Sequence, residues 1–188
     1  MIVAFDASIL IFVRNANANA PLDPATGKPV ERCQERVEWL IETLQQANGR
    51  IVIPTPALAE VLVRAGSSGP QLLQKLGASR HFRVVAFDER AAVEFAARQA
   101  ERLNSGLRLP APTRAKAKFD DQIVSIAIVE GATTIYSDDE DIAKLAAGRI
   151  QVIRLGAMPL PAGHGQAALP FGEPSDPTPT APRGDLEQ

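Results

Sequence analysis

The sequence predicts an α/β protein: a three-layer α/β/α sandwich around a central, mostly parallel sheet. Three observations carry that reading. Five short apolar runs are each bounded by polar or turn residues, longer segments of helical spacing lie between them, and the chain is 188 residues with 45% hydrophobic content, enough for one ordinary domain. Such runs are too short for helices, and their alternation with helical segments implies parallel strands joined by crossover helices on both faces.

The first run, Ile2–Phe5, stops at Asp6, and Ile51–Ile53, Arg83–Phe87, Thr133–Tyr136 and Gln151–Ile153 complete the candidate strands. Helical spacing recurs at Val37, Leu40, Ile41 and Leu44, at Leu58, Val61, Leu62 and Ala65, and at Ala92, Phe95 and Ala96. A further helix runs from Phe119 towards Gly131. Between Asn15 and Lys28, Asn-Ala repeats and Pro-Leu-Asp-Pro mark a surface excursion. After Leu155 the composition changes: residues 156–188 hold 7 of the 15 prolines and almost no apolar periodicity. The expected organisation is therefore a domain over 1–155 and a Pro/Gly-rich, disordered tail over 156–188.

Charge and composition exclude several classes. The formal charge is −2, which fits neither a strongly basic nucleic-acid coat nor a polyacidic tail protein. The one cysteine, Cys33, cannot close an intrachain disulfide, and the start Met-Ile-Val-Ala-Phe-Asp has no basic leader, so a cytoplasmic protein is expected. The longest apolar stretches, such as Ile9–Val13, fall far short of the ~20 residues that cross a bilayer, so no membrane role is expected. Thr26-Gly27-Lys28 has Leu22 where a phosphate loop needs its first glycine.

The chemistry is carried by acids. Asp6 ends the first strand, Glu60 lies on the helix after the second, Asp120 stands at the start of a helix, and Asp138, Asp139 and Asp141 follow the fourth strand. In parallel sheets the loops at the strand carboxyl ends form the functional crevice. Any one of these acids alone could be a helix cap or dipole partner. Gathered round one sheet edge they would crowd negative charge, a cost that a divalent cation offsets. Helical phase puts Asp120 on the side of Ile123, Val124 and Ala127 and turns Asp121 about 100° away. Glu60 is flanked by Leu58, Ala59, Val61 and Leu62, where an acid is rarely buried without a partner; an exposed helix position is the plainer alternative.

Carboxylates with few other donors suit Mg²⁺ or Mn²⁺. The two histidines, His81 and His164, leave no His-rich zinc site. A metal-bound water of lowered pKa hydrolyses a phosphodiester without a protein nucleophile. Ahead of Asp120, the bases Arg98, Arg102, Arg108, Arg114, Lys116 and Lys118 outweigh Glu101 and read as a phosphate-tracking lip, with a solvated helix end as the alternative. Gly106, Pro110 and Pro112 suggest that this loop moves.

At this point the residues resemble the PIN-domain family, metal-dependent nucleases that include the toxins of VapC-type toxin–antitoxin pairs. The resemblance covers residues 1–155 and rests on four ordered blocks. These are Val3-Ala4-Phe5-Asp6-Ala7-Ser8, then Pro54-Thr55-Pro56-Ala57-Leu58-Ala59-Glu60-Val61-Leu62. Asp120-Asp121-Gln122-Ile123-Val124-Ser125-Ile126-Ala127 then runs into Gly131, and Ile135-Tyr136-Ser137-Asp138-Asp139-Glu140-Asp141-Ile142 closes the set.

The resemblance implies catalytic, metal-holding acids at Asp6, Glu60, Asp120 and Asp138, with Asp141 or Asp139 as a further ligand. Family spacing from acid to Gly131 favours Asp120 over Asp121. Ser8 matches a small polar position that supports the first Asp, and with Arg114, Lys116 and Lys118 it makes up the expected substrate-binding set. The implied activity is a Mg²⁺- or Mn²⁺-dependent endoribonuclease, with RNA as substrate, an antitoxin protein as partner and a homodimer as assembly. The chain departs from the pattern in having Tyr136-Ser137 where a Thr usually stands two residues before the final Asp, and in its longer loop and tail. Two other readings compete. One keeps the fold as a catalytically silent module that binds RNA or protein; the other makes Asp6 a phosphoacceptor, although Asp6-Ala7-Ser8 lacks the second Asp of that chemistry.

Overall fold

The computed structural model describes residues 1–15, 17–104, 106 and 111–161. Arg108, Pro110, the side chains of Pro112 and Arg114, and the tail from residue 162 onward, His164 included, lie outside the described residues. Five strands form one sheet: β1 (Ile2–Phe5), β2 (Arg50–Pro54), β3 (Phe82–Val85), β4 (Thr134–Tyr136) and β5 (Gln151–Ile153). Their order is β3-β2-β1-β4-β5, and every pairing is parallel. The central strands β1, β2 and β4 bury nearly every side chain, as strands covered on both faces must. At the edges, β3 and β5 expose polar residues such as Arg83 and Gln151, which blunts them against pairing with another chain.

Among the described residues seven α-helices connect the strands: α1 (Ala7–Arg14), α2 (Cys33–Gln46), α3 (Thr55–Ala65), α4 (Gly69–Ala78), α5 (Glu89–Asn104), α6 (Ala111–Val129) and α7 (Glu140–Ala146). The connections from β1 to β2 to β3 step one way along the sheet, and those from β3 to β4 to β5 step the other way. Right-handed crossovers then place the two helix groups on opposite faces, which yields the three layers. The contacts agree, with α1 packed on α2 and α3, and α6 packed on α5 and α7.

Several boundaries shift from those read in the sequence. The sheet is wholly rather than mostly parallel. Strand β3 stops at Val85, so Ala86 and Phe87 fall outside it. Helix α6 begins at Ala111 rather than Phe119, which puts Asp120 in mid-helix and removes any capping role for it. It ends where Gly131, at φ +72°, supplies the left-handed turn and Ala132 N–H closes on Ala127 O at 2.9 Å. Packing continues past residue 155: Met158 is buried in the core and its carbonyl accepts from Arg36. The described residues of the Asn15–Lys28 excursion are largely exposed, and an isolated bridge joins Leu22 to Pro29 just beyond it. Among the described residues, no helix is long and apolar enough to cross a membrane.

Candidate metal centre

With this strand order the winding reverses between β1 and β4, and ligands bind in the crevice outside their carboxyl ends. Phe5 and Tyr136 are register partners, so the residues that follow them leave the sheet side by side. Asp6 N–H donates to Tyr136 O at 3.1 Å. Helix α6 brings Asp120 to the same place, and α3 brings Glu60. Asp6, Glu60, Asp120 and Asp138, with Asp139 and Lys116, line one cleft of about 600 Å³.

Asp6 is 4% exposed. Its Oδ2 accepts from Ser8 Oγ at 3.0 Å and Ser137 Oγ at 2.9 Å. Each hydroxyl also accepts a backbone N–H: Ser8 Oγ from Asp138 across the cleft at 3.0 Å, and Ser137 Oγ from Asp139 in its own segment at 3.0 Å. Two serines thus tie Asp6 to the segment after β4. Ser8, which lines the cleft, supports the first Asp as the resemblance implies, with its hydroxyl donating to Asp6 and accepting from Asp138 N–H. Ser137, which the sequence offers only as part of a departure from the family's Thr, supplies a hydroxyl to Asp6 from the position directly before Asp138.

Asp138 accepts from Leu155 N–H at 3.0 Å through Oδ1, while its Oδ2 is buried without a partner. Asp120 is 7% exposed. Burial pushes its carboxyl up to about 6 against the pull of Lys116, and the charges of Asp139 and Asp6 add to the rise. Burial likewise raises Asp6 and Asp138, and Asp6 raises Asp138 further. Asp139 is also desolvated, yet Lys116 and the N–H groups of Asp141 and Ile142 outweigh that and hold it low.

Glu60 is not buried among its apolar neighbours. Ala57, Leu58, Val61 and Ala65 turn inward, whereas Glu60 is 49% exposed at the cleft and pairs with Arg64 at 2.8 Å. Asp139 and Asp141, left as alternatives by the sequence, both approach Asp120: one carboxylate oxygen from each of the three lies within 4.8 Å of the others. Asp139 also caps α7 through Asp141 N–H at 2.7 Å.

The basic lip divides. Arg98 and Arg102 bind Asp121 inside the protein, because the phase that turns Asp121 from the cleft turns it towards α5. Lys116 points at the acids: its Nζ lies 3.1 Å from Asp120, 2.7 Å from Asp139 and 3.0 Å from Asp141. Lys118 is exposed.

The donor set fits Mg²⁺ or Mn²⁺, since every group is an oxygen and Asp138 Oδ2 is an orphaned buried acceptor. Asp6, Asp120 and Asp138 would hold the ion, with Asp139 or Asp141 as a further ligand beside Asp120 and Glu60 at the open side. Burial raises the carboxyls of Asp6, Asp120 and half-buried Asp138, so a cation that needs them ionised must compete with protons as the pH falls. The increase in melting temperature produced by Mn²⁺ near pH 7.5 is therefore expected to vanish by about pH 5, below the value of Asp120. An increase that persists undiminished would place the ion elsewhere. Ser137→Ala removes a donor to buried Asp6 and is expected to weaken Mn²⁺ binding roughly 10- to 100-fold, which calorimetry would read; unchanged affinity would show that Ser8 suffices.

The fold is that of VapC-type PIN domains. It matches VapBC2 from Rickettsia felis bound to a DNA fragment from the promoter, at 18% identity over 82% of this chain and 98% of that chain, with a TM-score of 0.54. It also matches DNA-bound VapBC from Salmonella typhimurium, at 15% identity over 82% of this chain and 98% of that chain, with a TM-score of 0.53. VapBC-1 from nontypeable Haemophilus influenzae is similar at 14% identity over the same shares, with a TM-score of 0.51. No family profile and no curated protein matches the sequence.

Proposed function

We propose that this chain is a Mg²⁺- or Mn²⁺-dependent endoribonuclease that acts in the cytoplasm as the toxin of a toxin–antitoxin pair, with an antitoxin protein as partner and a homodimer as assembly. The observation that carries the reading is the convergence of Asp6, Asp120 and Asp138 at the switch point of the sheet, with one buried carboxylate oxygen left unpartnered. Bound there, a divalent ion would supply a water of lowered pKa and offset the charge that builds on a phosphodiester. The chain's own part is positional: Ser8 and Ser137 fix Asp6 against the loop after β4, and Leu155 N–H fixes Asp138. Glu60 stands exposed at the same cleft, free to turn from Arg64 towards it. Of the basic stretch ahead of Asp120, exposed Lys118 carries a described side chain with no acidic partner among the described residues, and exposed Arg64 lines the cleft itself, so these two are the bases offered to phosphate. RNA as the substrate, and the antitoxin, rest on the likeness to the VapC-type fold.

One observation favours a second reading. Lys116 pairs with Asp120, Asp139 and Asp141 without a metal and offsets part of their charge, which would suit a silent RNA- or protein-binding module. Incubation of the purified chain with single-stranded RNA separates the two. Cleavage that needs Mg²⁺ or Mn²⁺, stops on chelation and returns on re-addition is expected; binding without cleavage under every metal condition would favour the module, and cleavage in chelator would end the metal mechanism.

A further inference from the structure

We propose that Lys116 is a built-in cation that occupies the acidic cluster of the metal-free protein, and that a divalent ion gains Asp120, Asp139 and Asp141 only by displacing it. The inference rests on the metal-centre reading above and adds the chain's own control of that site. An ammonium has three donors, and the three acids take them at 3.1, 2.7 and 3.0 Å. The carboxylates come from two separate parts of the chain: Asp120 lies one turn along α6 from Lys116, and Asp139 and Asp141 cap and open α7. Without Lys116, three carboxylate oxygens within 4.8 Å of one another would face each other unshielded.

Mg²⁺ holds oxygens at about 2.0–2.1 Å, so an ion shared by these acids needs the space now filled by the ammonium. Lys116 has room to leave. Its side chain is 52% exposed, and its flexible stem carries the charge out along the cleft wall that it already lines. Lys144, by contrast, stands 3.8 Å from Asp141 and Glu140 and touches neither Asp120 nor Asp139. It adds charge nearby without filling the site.

Calorimetric titration of the metal-free full chain with Mn²⁺ tests the idea on wild type, Lys116→Gln and Lys144→Gln. Lys116→Gln is expected to bind about 10-fold tighter and to melt lower without metal, with a larger Mn²⁺-induced rise, while Lys144→Gln changes affinity less than about 3-fold. Equal gains in both variants would reduce the effect to net charge and overturn the proposal, as would wild-type or weaker affinity in Lys116→Gln. Binding by Lys116→Gln alone would support displacement while sinking the metal-dependent function of the natural chain; binding by neither would sink both.

A measurement without variants guards against misfolding of Lys116→Gln. Amine labelling of the wild-type chain, read by mass spectrometry, is expected to speed up severalfold at Lys116 when Mg²⁺ is added and to stay constant at Lys28. Labelling of Lys116 that ignores Mg²⁺ would overturn displacement even if the function stands.

Discussion

Asp121→Ala is expected to lower the unfolding free energy by about 3–5 kcal/mol, the cost of stripping one partner from a buried ion pair. Asp121 is 0% exposed and Arg98 only 3%. Arg98 Nε and Nη2 donate to Asp121 Oδ1 at 2.9 and 2.7 Å, Gln99 donates to Oδ2 at 2.9 Å, and Arg102 closes the same carboxylate. Arg98 also reaches Leu145 O at 2.7 Å, so one guanidinium ties α5 and α6 to α7. Alanine would leave that guanidinium desolvated with a carbonyl as its remaining partner. Against a typical total of about 5–15 kcal/mol, the loss would bring the domain close to unfolding, which urea titration would show. The double variant Asp121→Leu, Arg98→Leu is expected to recover much of it, because the uncompensated charge goes too. A loss below about 1 kcal/mol in Asp121→Ala would mean that water reaches Arg98.

This cluster also marks where the sequence stops being legible. Strands β1, β2 and β4 were visible because a strand covered on both faces is apolar along nearly its whole length, whereas the edge strands β3 and β5 showed only as short apolar runs beside exposed polar residues. Helix α1 was not, because Ile9–Val13 is apolar without interruption and shows no period. Helix α7 is only seven residues long and offers too few turns to read. At the site, chain order showed that Asp6 and Asp138 follow strands, and helical phase told Asp120 from Asp121. Phase could not say what lies opposite the rejected face. The pairing of Asp121 with Arg98 spans 23 positions and depends on how α5 packs on α6, so both arginines were read as a basic lip. The full set of partners of Lys116 was hidden for the same reason: an i,i+4 partner in Asp120 is legible, but Asp139 and Asp141 arrive through the fold. Glu60 among apolar letters suggested burial, whereas an amphipathic helix carries apolar and exposed positions side by side.

Asp120→Asn is expected to reduce RNA cleavage by more than about 100-fold per folded molecule, beyond what loss of an outer-shell partner costs, while melting stays close to wild type. Asparagine keeps the shape and one carbonyl oxygen but removes the charge. The metal-free fold does not depend on that charge: burial already works against it, pushing the carboxyl up to about 6, so the neutral amide is tolerated. A divalent ion would depend on it, because Asp120 is the acid shared between the Asp6 and Asp138 side of the cleft and the Asp139 and Asp141 side. Asp121→Asn should behave oppositely, with lower stability and near-normal activity in whatever fraction is folded, since its side chain faces α5. Measuring cleavage and folded fraction together for both variants separates a ligand from a brace. Equal activity losses per folded molecule would show that Asp120 does not serve the chemistry alone and that the network behind it sets the geometry of the cleft.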